Sequence, residues 1–339
     1  MVNERLQSKG KKLSISIKSN IKTFLKKYKY FWVLKKIYDF VTKKNSFYHA
    51  LQSIITNIKL RKNFSKLEKF YFRKVYSGAF ENFFKKKINA ENVNATKIKL
   101  EGISNPLLIE SFSNYKNEIC DYFYNQKFFS DKDPNTKYNL DDKANLKVGY
   151  FSIEDTLNCP HILEIANDEN IINILTSYFQ CPFKLDYINS WWSFKNPGSI
   201  NEKTQYFHRD LDNFNFVKMF LYLTDVDINK GAHQYVVGSH NKTYNLKISR
   251  SIIDKKDLNF DNLEVFDFVG ESGSALLADT FGLHRGATPI NGDRLMIVFS
   301  YSVKNSIHSV DKRNISYSIR EKIAHNNFNN YLNKNFLGK

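Results

Sequence analysis

Between Phe183 and Val303 the chain breaks into seven short runs whose texture suits strands: "FKLDYINSWWSF" (Phe183–Phe194), "TQYFHRD" (Thr204–Asp210), "FVKMFLYLTDV" (Phe216–Val226), "HQYVVGSH" (His233–His240), "EVFDFV" (Glu264–Val269), "SALLAD" (Ser274–Asp279) and "RLMIVFSYSV" (Arg294–Val303). They are rich in β-branched and aromatic residues, and turn signals such as Asn229-Lys230-Gly231 and Asn291-Gly292 separate them. Seven strands in succession after a helical stretch predict a mainly β fold with flanking helices, a sandwich or barrel padded on one face. The padding is read from "HILEIANDENIINILTSYF" (His161–Phe179), with Pro160 just before it, and from the closing "DKRNISYSIREKIAHNNFNNYL" (Asp311–Leu332). Ser130–Lys143 is a loop by composition, and there are no internal repeats.

Charge divides the chain. Of 339 residues, the first 90 hold 23 Lys/Arg against 4 Asp/Glu, and the remaining 249 hold 28 against 30. The basic character therefore belongs to a helical N-terminal extension, residues 1–90, where Ile17, Ile21, Phe24, Leu25 and Tyr28 recur at helical spacing between lysines. Three readings of this extension stay open: a solvated lysine face on helices packed against the body, an arm on anionic lipid with Phe31 and Trp32 at the interface, or a nucleic-acid contact. The last carries no named motif and is the least favoured. No stretch is apolar enough to span a membrane, and the start "MVNERLQSKG" has no secretory apolar region. Three cysteines without CxxC spacing suggest neither a disulfide framework nor a cysteine zinc site. The expected location is cytoplasmic, peripheral at the membrane if the arm lies on lipid.

Residues 91–339 form a near-neutral body with one chemically suggestive pattern. In "QYFHRDLDNF" (Gln205–Phe214), His208 and Asp210 stand two apart, so on a strand both point to one face while Arg209 points to the other. An imidazole and a carboxylate suit a first-row divalent metal. The pair alone is weak, because an exposed polar strand edge explains it equally well. A third ligand could come from His233, His240, His284, His308 or His325. His284 stands out: it follows "GSALLADTFGL" and precedes "RGATPINGDRLMIVFSYS", so it sits at a strand boundary with Arg294 opening the next strand. A guanidinium there could hold a carboxylate by two parallel hydrogen bonds. His240 reads as a structural hydrogen-bonding residue and His233 as a strand-surface residue. Asp279 could orient a ligand or cap a turn, and Asp212 is the rival carboxylate to Asp210.

In order, "HRD", "MFLYLTDVDINKGAHQYVVGSH" and "GSALLADTFGLHRGATPINGDR" resemble the phytanoyl-CoA dioxygenase family of Fe(II)/2-oxoglutarate oxygenases. The resemblance covers roughly residues 150–303. It implies a double-stranded β-helix core, a jelly roll of cupin type, within a dioxygenase domain over 91–339. It implies that His208, Asp210 and His284 bind Fe(II), that Arg294 pairs with the distal carboxylate of 2-oxoglutarate, and that O2 is the second co-substrate. Lys218, in phase with Phe216, Phe220 and Tyr222, is a further candidate contact for 2-oxoglutarate, or a lysine snorkelling from the barrel rim. The implied reaction hydroxylates an aliphatic C–H of a small-molecule or lipid-linked substrate and releases succinate and CO2. Because Asp210 is present, hydroxylation is favoured over halogenation. Other readings are a silent member that only binds ligand, a cupin-like metalloenzyme without a keto acid, and a module that works through its basic arm. Residues 242–261 carry no signature of a substrate.

Overall fold

A computed structural model describes residues 55, 57–88, 91–130, 133–195, 205–242, 263–306, 308–310, 315–325 and 330–337. The chain divides into two compact units, Met1–Thr56 and Asn57–Lys339. The expected lipid-facing residues Phe31 and Trp32, and most of 242–261, lie outside the described residues. No helix among the described residues is long and apolar enough to cross a membrane.

The second unit is built on two antiparallel sheets. Its strands are β1 (Leu107–Leu108), β2 (Phe128–Ser130), β3 (Lys137–Tyr138), β4 (Val148–Tyr150), β5 (Lys184–Ser193), β6 (Phe216–Tyr222), β7 (His233–Val236), β8 (Val265–Phe268), β9 (Ser274–Ala278), β10 (His284–Gly286) and β11 (Arg294–Ser302). The large sheet runs β1-β9-β6-β11-β5-β4-β2-β3 and the small one β10-β7-β8. From β5 onward the chain passes back and forth between the sheets, β5 and β6 in the large one, β7 and β8 in the small one, then β9 large, β10 small and β11 large. That order is a jelly roll, the double-stranded β-helix.

The central strands are buried on both faces, which is why they read as continuous apolar runs. One face of the large sheet (Phe220, Tyr222, Leu276, Met296, Val298) packs toward Tyr235 and Phe268 of the small sheet. The opposite face (Met219, Leu221, Leu277, Ile297, Phe299) packs on helices through Ile119, Phe123, Ile171 and Leu175. Each such side chain contributes about 1.5–3 kcal/mol by leaving water.

The helical padding differs from its sequence reading in one place. His161–Phe179 is two helices, Ile162–Ala166 and Glu169–Phe179, because the Asp168 carboxylate accepts from Asn170 N (3.0 Å) and Ile171 N (3.2 Å) and starts the second. The closing segment carries Tyr317–His325 and a separate turn of helix, Lys334–Leu337. The expected loop Ser130–Lys143 includes β3 and a 3₁₀ turn at Leu140–Asp142.

Residues 57–87 belong to the compact unit. The helix Ile58–Val75 is capped by the Asn57 side chain, and the Arg61 guanidinium donates to the Asn213 carbonyl. The expected strand Thr204–Asp210 makes no ladder among the described residues. It contributes one isolated bridge, His208 to His284.

Candidate metal centre

That isolated bridge is what joins two distant parts of the chain. His208 N donates to His284 O and His284 N donates to His208 O, both at 3.0 Å. A doubly bonded antiparallel pair puts its two side chains side by side on one face, and the ring centroids are 4.4 Å apart. Two residues on, Asp210 N donates to Thr280 O (2.9 Å), which holds the carboxylate on the same side as His208. Arg209 turns away, as the alternation requires, and donates to the carbonyls of Ser239 and Lys242.

Both imidazoles have a fixed tautomer. Nδ1 of His208 lies 2.8 Å from the Tyr206 carbonyl, and Nδ1 of His284 lies 2.9 Å from the Gly282 carbonyl. A carbonyl only accepts, so each Nδ1 carries a proton and Nε2 is the nitrogen turned toward the carboxylate. The two Nε2 atoms point at one carboxylate: His208 Nε2 is 3.7 Å from Asp210 Oδ1 and His284 Nε2 is 3.2 Å from Asp210 Oδ2. Two neighbouring ligands bound at roughly 2.1 Å to one ion stand about 3 Å apart, so the trio fits a metal with little movement. Among the described residues it is the one cluster of this kind, with ligand atoms all within 4.8 Å of one another, and all three residues are buried.

A lysine completes this end. Lys218, on β6, places Nζ 2.7 Å from Asp210 Oδ2 and 2.8 Å from Asp212 Oδ2. Asp212 Oδ2 also accepts from Tyr187 Oη at 2.9 Å. Burial would raise the Asp210 carboxyl, but Lys218 and then His284 hold it well below the usual carboxylate range. Burial would lower Lys218, and Asp210 and Asp212 instead raise it well above the ordinary lysine value.

Arg294 occupies the same cavity, which has a volume of about 340 Å³. Its Nη2 donates to Ser193 Oγ (3.0 Å) across the β11–β5 pair, whereas Nε and Nη1 are buried with no hydrogen-bond partner. Only 3% of the residue is exposed, and burial pushes the guanidinium pKa down. Gly286 makes room for it, because a Cβ there would stand 3.1 Å from Nη2. A buried guanidinium with two unused N–H groups is complementary to a carboxylate.

No family model matches this chain, and no curated protein sequence does. Several solved structures are similar to part of it. HygX from Streptomyces hygroscopicus, with nickel and 2-oxoglutarate bound, is 18% identical over 62% of this chain and 86% of its own, with a TM-score of 0.45. EctD from S. alaskensis, with 2-oxoglutarate and 5-hydroxyectoine, is 13% identical over 64% and 76%, also at 0.45. SnoK, a non-heme alpha ketoglutarate dependent carbocyclase from nogalamycin biosynthesis, is 14% identical over 65% and 88%, at 0.46. At these scores no residue role passes from those proteins to this one.

The structure thus brings His208, Asp210, His284, Lys218 and Arg294 to one cavity. Other histidines are placed differently from one another. His240 is buried and bonded to the Lys99 carbonyl. Asp279 accepts from Phe281 N and Tyr178 Oη, so it caps the turn before His284. His233 is a correction: it is buried rather than on a strand surface. It lines the cavity with its ring centroid 5.5 Å from that of His284, and its Nε2 has no partner. Burial holds its pKa well below the usual value, so it is a neutral imidazole. Its position was hidden because a four-residue strand is too short to show which face is inside. Asp212, the rival carboxylate in the sequence reading, anchors Lys218.

Proposed function

We propose that the protein is an Fe(II)- and 2-oxoglutarate-dependent oxygenase that oxidises an aliphatic C–H of a small molecule with O2, releasing succinate and CO2. One observation carries this reading. A single cavity holds a two-histidine, one-carboxylate cluster whose two Nε2 atoms converge on the Asp210 carboxylate, together with a buried guanidinium that has unused donors for an anion.

His208, Asp210 and His284 would hold the iron, which when bound supplies the activation of O2 that a 2-His-1-carboxylate set with open positions allows. The residues do the rest by position. The Tyr206 and Gly282 carbonyls keep both rings in the ligating tautomer. Lys218 and Asp212 hold the Asp210 carboxylate in orientation. Arg294, steadied by Ser193, pairs with the distal carboxylate of the keto acid. Phe220, Met296 and Val298 give the cavity an apolar wall that excludes water. Because Asp210 fills the carboxylate position, hydroxylation is favoured over halogenation.

The test is anaerobic titration of the full chain with Fe(II) and 2-oxoglutarate, followed by succinate measurement in air. A keto-acid-dependent absorption band and iron-dependent succinate are expected. Neither band nor succinate would sink the reading. A second reading, a barrel that binds a ligand without iron, draws on Lys218, whose ammonium already neutralises Asp210. It requires 2-oxoglutarate to bind equally well with and without Fe(II). The basic extension is proposed to contact an anionic membrane surface. Loss of vesicle binding on removing residues 1–56 is the expected result, and unchanged binding would overturn it.

A further inference from the structure

A second cavity lies on the reverse side of the Gln205–Asn215 segment. Asp210 and Asp212 line the metal cavity, whereas Phe214 and Asn215 line this one, and the two cavities share no lining residue. It has a volume of about 380 Å³ and opens between the helix Ile58–Val75 and the body. Five of its lining side chains are cationic: Arg61, Lys62, Lys66, Lys69 and Lys99.

The anions do not balance them. The one carboxylate in the lining is Asp279, whose oxygens accept from Tyr178 Oη (2.9 Å) and Phe281 N (3.1 Å). Glu68, next to Lys69, is turned onto the Asn215 amide at 2.6 Å. No ion pair is formed by Lys62, Lys66 or Lys69 among the described residues. Spaced i, i+4 and i+7, these three make a stripe about 10 Å long on one helix face. Like charges at such spacings repel and destabilise the helix. Lys99 adds a fourth ammonium, donating to the Ser177 carbonyl at 3.0 Å. Burial, with Lys99 adding to it, pushes the Lys69 ammonium pKa down. An anion in the cleft would remove both costs. The aromatic rings are already engaged, Phe281 under Arg61 (3.9 Å) and Tyr178 under Lys69 (5.3 Å), so recognition falls to the cations.

We propose that this cleft binds a polyphosphate group, two or more linked phosphates matched to the lysine stripe. The shared chemistry is presented by a soluble diphosphate-bearing metabolite or by a diphosphate headgroup at a lipid surface.

The test uses the full chain and sodium pyrophosphate by isothermal titration in metal-chelated buffer, with two charge-matched variants. One is Lys62→Gln/Lys66→Gln/Lys69→Gln. The other is Lys86→Gln/Lys116→Gln/Lys127→Gln, at exposed positions outside both cavities. Saturable one-to-one binding is expected, weakened roughly tenfold or more by the first triple, as loss of charge-assisted contacts implies, and unchanged by the second. Lys62→Gln/Lys66→Gln, at two exposed positions, gives the same readout if the triple does not fold. Co-sedimentation with phosphatidylcholine vesicles containing diacylglycerol pyrophosphate separates the sources. Binding that the first triple alone abolishes assigns the lipid source, and pyrophosphate binding without it assigns the soluble one. Equal loss in both triples, or no saturable binding to either probe, overturns the proposal.

Discussion

The two ends of the metal cavity treat charge in opposite ways. At one end a cation is over-supplied with anions: Lys218 lies between Asp210 and Asp212. At the other, Arg294 has no anion and leaves two N–H groups unused. Burying either arrangement is costly by itself. Together they describe a site that is electrically incomplete at both ends, short of a cation beside the histidines and of an anion beside Arg294. That is the complement of a divalent metal plus a dicarboxylic keto acid. Structural ion pairs elsewhere in the fold need no such counterpart.

The sharpest way to break the comparison is to remove the carboxylate that defines the first end. Asp210→Ala is expected to abolish tight Fe(II) binding and turnover, read by metal titration and succinate release. Retained turnover would mean the trio is not the metal site. Lys218→Met comes next. Without the ammonium, the buried carboxylates of Asp210 and Asp212 lose the cation they share, and metal-free stability should fall by about 3–5 kcal/mol in denaturant unfolding. Added Fe(II) should recover part of that loss. A loss that metal leaves untouched would show that Lys218 and the metal do not share one charge balance.

At the other end, Arg294→Met is expected to act in opposite directions on function and stability. The apparent KM for 2-oxoglutarate should rise about tenfold to a hundredfold, the worth of a lost charge-assisted pair. The metal-free protein should become more stable by roughly 1–3 kcal/mol, since unsatisfied buried donors are gone. An unchanged KM would assign the carboxylate to another residue.

Outside the cavity lies another buried lysine, Lys184 on β5, which donates to Asn305 Oδ1. Burial, and after it Lys334, lower its pKa to about 7. The unfolded chain keeps the proton up to about 10.4, so between these values unfolding takes up a proton and stability rises with pH. Lys184→Met should flatten that rise, read as the difference from the parent chain in unfolding between pH 7 and 10. A parallel profile in the variant would mean Lys184 stays charged in the fold.

Much of this was legible in the sequence. Six of the seven strand-like runs are strands, because central jelly-roll strands are apolar on both faces and turn residues bound them. The seventh, Thr204–Asp210, carries the right residues but has only one bridging pair, so its side-chain phase is set by contact with His284 and Thr280 rather than by a ladder. Lys218 was correctly placed in phase with Phe216 and Phe220, but its partners were not visible. The charge asymmetry grouped residues 57–90 with the basic extension, although Ile58–Val75 packs as part of the second unit, since composition reports charge and not contact.

By itself, then, the sequence determined where six of the strands lie and the chemical types available, because periodicity and turn residues are local. The tertiary structure alone decided which imidazole nitrogen faces Asp210, that Asp212 holds Lys218, that His233 is inside, and that Arg294 Nε and Nη1 are left without a partner. Those outcomes depend on how two sheets close over one cavity, which brings together residues that no local pattern relates.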